Sequence, residues 1–99
     1  MGKRKVRILE PAATAVAEIA FFIEAKGLTK TAMNFVDEAY DFFDKLSDDR
    51  LEHRPCVYSP WKSLNYRCVT FSKKYMVAYL STAKEIIICE FVSSKILKD

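Results

Sequence analysis

Few residues in this chain are equipped for chemistry, and most of them are cations. Arg67 follows an aromatic, Tyr66, in a strand-like run. Lys73 and Lys74 sit side by side in a turn-like link, Lys95 and Lys98 lie near the end, and Lys3, Arg4, Lys5 and Arg7 near the start. Such groups bind phosphates or acidic side chains, or simply keep strand edges solvated. His53 is the sole histidine and has only Glu52 near it at ligand spacing, so it reads as an exposed loop residue rather than a metal ligand or a base. Trp61, between Pro60 and Lys62, reads either as an interaction anchor or as a lid over one end of the core. Cys56, Cys68 and Cys89 are odd in number and form no CxxC pair, which supports neither zinc nor a disulfide framework and predicts reduced thiols used as core filler. No glycine-rich phosphate loop, carboxylate pair or Ser/His/Asp set can be assembled, and no cofactor is implied.

The charges that frame these residues are segregated. Residues 1–9 hold four bases and no acid, residues 10–52 ten acids and four bases, and residues 53–99 eight bases and three acids, within a net charge of +3. The acidic block is helix-like and the basic blocks are strand-like. Gathering the strands into one sheet would therefore set a basic sheet face beside an acidic helical layer. Ninety-nine residues make one domain, 1–99, and 51% hydrophobic content excludes disorder. The longest apolar run, Ile19 to Ile23, is too short to span a membrane. With no signal-peptide pattern, the expected location is cytoplasmic.

Residues 4–9 alternate basic and apolar side chains, as a strand does, and Pro11 suits the first turn of a helix. Ala12, Val16, Ile19, Ile23 and Leu28 return at helical spacing, with Gly27 as a C-terminal cap. Thr29 is placed to cap a second helix with a clean stripe of Ala32, Phe35, Val36, Ala39, Phe42, Phe43 and Leu46. One member of each doublet, Phe21-Phe22 and Phe42-Phe43, should lie near the surface. Residues 47–63 lack a period and predict an irregular crossing. Runs at 64–71, 75–80 and 85–92, joined by short polar links, predict an antiparallel meander. The order β-α-α-β-β-β is an α+β fold with an antiparallel helix hairpin on a small, mainly antiparallel sheet.

These stripes and spacings resemble the ParE/RelE family of toxins from bacterial type II toxin–antitoxin systems. Ala12, Val16, Ile19, Phe22 and Ile23 follow the family's first helix. Ala32, Phe35, Val36, Ala39, Phe43 and Leu46 follow its second. Tyr75-Met76-Val77-Ala78-Tyr79 resembles its Tyr-x-x-x-Tyr strand, and Ile86, Ile88 and Phe91 its last. Arg67 stands where a basic residue is frequent. Ser93 takes the place of a usual His and Lys95 that of a neighbouring base.

The resemblance implies a neutralising antitoxin, with an acidic tail that folds along an apolar groove and a basic sheet. It further implies DNA gyrase as target in the ParE branch, or ribosome-bound messenger RNA in the RelE branch. Met76 stands where the ribonuclease branch has a catalytic arginine, and methionine neither stabilises phosphate charge nor moves a proton. The chain therefore sides with the gyrase-poisoning branch, with Arg67, Lys73, Lys74, Lys95 and Trp61 as contact candidates. The ribonuclease alternative would rely on Arg67, Lys62 and Lys95. A third reading is an inactive, toxin-derived module kept for binding or for pairing with a second copy.

Overall fold

The computed structural model describes residues 4–48 and 53–94. The elements run β1 (Lys5–Ile8), α1 (Glu10–Ala25), α2 (Thr29–Lys45), α3 (Ser59–Ser63), β2 (Arg67–Phe71), β3 (Tyr75–Ser81) and β4 (Glu85–Ser93). They form an α+β fold in which the helix hairpin lies on a four-stranded sheet of order β1-β4-β3-β2. β2, β3 and β4 are antiparallel neighbours, and β1 joins β4 in parallel.

The long helices have clear local causes. Leu9 is extended, Pro11 follows in the first turn, and the Glu10 carboxylate sits at the positive end of the helix dipole. Gly27, at φ +85°, turns the chain between α1 and α2 and donates its N–H to the Glu24 carbonyl at 2.8 Å. The cap expected of Thr29 is not used. Leu28 occupies the cap position, and Thr29 is already helical. Ala12 and Val16 of α1 and Ala39 and Phe43 of α2 bury against Val77, Tyr79, Ile86, Ile88 and Phe91 of the sheet. Phe35 makes edge contacts with Tyr75, Phe91 and Phe71 at centroid separations of 5.5, 6.1 and 6.2 Å, so an aromatic lattice locks α2 to three strands.

Side-chain alternation sorts the strands between two layers. Val69, Phe71, Val77 and Tyr79 face the helices, whereas Cys68, Met76 and Ala78 face the other way. A second, smaller core occupies that opposite face: Cys56, Trp61 and Ala78 are buried there, with Tyr58, Tyr66, Cys68, Met76 and Val92 against them.

Several expectations are corrected. Among the described residues the sheet has no basic face, because its charged strand residues away from the helices are Lys5 and Arg7 against Glu85 and Glu90. Arg67 pairs with Tyr79 and falls on the helix-facing side, while Lys73, Lys74 and Lys84 fall in turns. The crossing segment is more ordered than its composition implies. Residues 59–63 form α3, and Pro55 bridges to Arg67 on the outer edge of β2. β2 starts later than predicted because Asn65 adopts a left-handed φ of 62° after α3. Cys56 and Cys68 are joined in a disulfide, and only Cys89 is a free thiol. On α1, both Phe21 and Phe22 are exposed, because the hairpin buries only the Ala12–Val16 side of that helix.

Candidate functional site

An open cavity of about 660 Å³ lies along the β2 edge. One wall is the extended segment 53–58, represented by His53, Arg54, Pro55, Val57 and Tyr58. The rest of the lining is Cys68, Val69 and Thr70 of β2, Met76 of β3, and Ser94 just after β4. The wall exists because the segment pairs with β2 as a short added strand. Cys56 N–H donates to the Tyr66 carbonyl at 2.9 Å, and Cys68 N–H donates to the Arg54 carbonyl at 3.1 Å. Pro55 removes an N–H group from this stretch, which suits a strand on a sheet edge. The disulfide then ties the same two elements covalently, with Cα atoms 4.9 Å apart.

At the head of the wall, Arg67 Nη1 donates to the His53 carbonyl at 2.6 Å. The His53 ring lies edge-on to Tyr79, and its Nδ1 shares a 2.6 Å hydrogen bond with the Tyr79 hydroxyl. His53 is therefore half-buried, not the exposed loop residue expected. Burial, with the nearby Arg67 guanidinium, holds its pKa below the ordinary value. A neutral imidazole at neutral pH keeps one ring nitrogen available as an acceptor.

The remaining candidates are dispersed. Lys73 and Lys74 are exposed in the β2–β3 turn, where Ser72 and Lys73 take left-handed φ values of 54° and 62°. Lys74 is tied to the end of β4 through its carbonyl, which accepts from Ser94 N–H at 2.9 Å. Lys62 is exposed on α3, and Lys95 lies outside the described residues. Trp61 is 8% exposed and packs edge-on to Tyr58 at 5.2 Å, so the lid reading describes its position. Arg67 holds His53 in place rather than pointing into the cavity, and among the candidates only its immediate surroundings form a cluster.

The sequence reading missed the wall itself. Segment 53–58 carries no period, and its pairing with β2 is fixed by non-local bonds, so neither the Cys56–Cys68 bridge nor the His53–Tyr79 contact leaves a local signature. Met76, which by the family resemblance stands where the ribonuclease branch has a catalytic arginine, lines the cavity. A second apolar surface, also outside the periodic core, flanks the hairpin: Phe21 and Met33 are 73% and 63% exposed around a shallow cleft lined by Ala17, Ala20 and Ala32.

In fold, the chain is similar to a chain of the chromosomal ParDE TA system from P. aeruginosa. The TM-score is 0.75 at 15% sequence identity, over 92% of this chain and 96% of that one. The likeness is one of architecture. No protein-family profile matches the sequence, and no curated protein matches it. Among the described residues, no helix is long and apolar enough to cross a membrane.

Proposed function

We propose that this chain is the toxin half of a toxin–antitoxin pair and that it acts by binding a macromolecule rather than by cutting RNA. The fold likeness to a chain of a ParDE system supports the first part. The second is supported by one observation: Met76 lines the cavity beside Thr70 and Cys68, and the family resemblance puts a catalytic arginine of the ribonuclease branch at that position. A thioether supplies neither positive charge to a phosphate nor a proton to a leaving oxygen. Arg67, the strongest cation of the ribonuclease alternative, is committed to the His53 carbonyl.

The cavity suits a peptide. Val57, Tyr58 and Met76 offer apolar contact, and Arg54 on the rim offers a partner for a carboxylate. In this reading an acidic antitoxin segment lies along the β2 edge, and DNA gyrase, in a bacterial cytoplasm, is the target. Induced expression tests it: growth arrests, plasmid supercoiling changes, and transcripts acquire no new 5′ ends. New 5′ ends would establish the ribonuclease alternative. Unimpaired growth with normal supercoiling would leave the inactive binding module.

A further inference from the structure

The disulfide has no part in the reading above, yet it closes the wall of the cavity. Cys56 stands in the middle of that wall, between Arg54 and Pro55 on one side and Val57 and Tyr58 on the other, and Cys68 is itself part of the lining. We infer that the Cys56–Cys68 bridge is a thiol–disulfide exchange site, a latch that keeps the 53–58 wall seated on β2 while the bridge is closed and frees it when a small dithiol reduces it, the oxidised (cyclic disulfide) form of that dithiol being the oxidant for the reverse exchange.

The other ties across this seam are few. Among the described residues they include the two backbone bonds between residues 54–56 and 66–68, the Arg67–His53 bond and the His53–Tyr79 hydroxyl bond. The elements below are held independently. The helix hairpin and the β3–β4 pair share the large aromatic core, which contains neither cysteine of the bridge. Breaking the disulfide thus loosens one wall without dissolving the domain. Closing a loop across a sequence separation of 12 removes unfolded-chain freedom worth about a hundredfold in the opening equilibrium of the segment.

The geometry sets the direction of attack. Cys56 is 1% exposed, whereas Cys68 is half-buried and lines the open cavity, so an incoming thiolate reaches the Cys68 sulfur. That attack forms a mixed disulfide on Cys68 and expels Cys56 as a thiolate, which takes a proton. The second thiol of the reductant then displaces Cys68. Two electrons and two protons pass to the protein, giving two thiols, and the reductant leaves as a disulfide. Cys89, buried on β4, takes no part.

The consequence for binding rests on the function proposed above: a seated wall is a preformed cavity, and a free one must be ordered by the partner. The latch itself is testable without any partner. Hydrogen exchange of the full chain would be followed before and after treatment with dithiothreitol, with thiol alkylation counting one free cysteine before and three after. On reduction, the Cys56 and Cys68 amides should exchange about a hundredfold faster, with α1, α2, β3 and β4 unchanged. The double variant Cys56→Ser/Cys68→Ser should show the fast rate from the start and no response to dithiothreitol. Three results would each overturn the proposal: a bridge that native protein retains against the dithiol, exchange unaltered after three thiols are counted, or acceleration spread over the whole chain.

Discussion

The two faces of the sheet are packed by different means. The helix-covered face is sealed by two long regular elements whose aromatic and aliphatic side chains interlock, as in the Phe35 contacts to three strands. The opposite face is sealed by a segment with one short helix, a single β-bridge, a disulfide and a small aromatic cluster centred on the buried Trp61. The first arrangement spreads its stability over many replaceable contacts along the chain. The second concentrates it in a few residues far apart in sequence. A face held by few ties is also one that can be opened, and the segment that covers it forms one wall of the β2-edge cavity.

The sharpest way to break this comparison is to empty one core at a time. Phe91→Ala on the helix-covered face should cost about 4 kcal/mol in urea unfolding, with the transition remaining a single step. Trp61→Ala should cost less, about 3 kcal/mol, and should loosen residues 54–66 selectively in hydrogen exchange. Equal, global effects of the two would erase the distinction between the faces.

A smaller effect is expected from acid. His53 has a lower pKa when folded than when unfolded, so the unfolded chain binds a proton first. The His53 contribution is therefore complete above the ordinary histidine pKa of about 6.5 and is lost as pH falls through the folded value. Urea midpoints measured from pH 8 to pH 5 should fall more steeply for the native chain than for His53→Asn, and Tyr79→Phe should flatten part of the difference. The smallest effect belongs to the hairpin turn. An alanine Cβ at Gly27 meets nothing within 4 Å, so Gly27→Ala should cost only the left-handed backbone term, about 1 kcal/mol in thermal unfolding.

The same contrast decides what could be read from the sequence. The helix hairpin follows from a period of 3.6 and the meander from short apolar runs joined by polar links, because each of those elements buries one stripe or both sides. Gly27 marks the turn for a purely local reason. The charge blocks misled because a block average ignores which side of a strand each cation occupies. Arg67 alternates onto the helix-facing side with Val69 and Phe71, and three lysines are spent in turns. Cys56 and Cys68 looked unrelated because their partnership depends on residues 54–56 lying beside β2. Met76 was legible as the loss of an arginine, while its place in a cavity needed the wall that the crossing segment supplies.

The parallel pairing of β1 with β4 sets Lys5 beside Glu85 and Ile8 beside Ile88, so during synthesis β1 waits for a strand that follows some eighty residues later. Until β4 emerges, the hairpin has no Phe91 or Ile88 to rest on, and β1 has no neighbour along its edge. A nascent or prematurely terminated chain lacking β4 therefore leaves sticky helix faces uncovered, and quality-control proteases gain a clear mark for its removal.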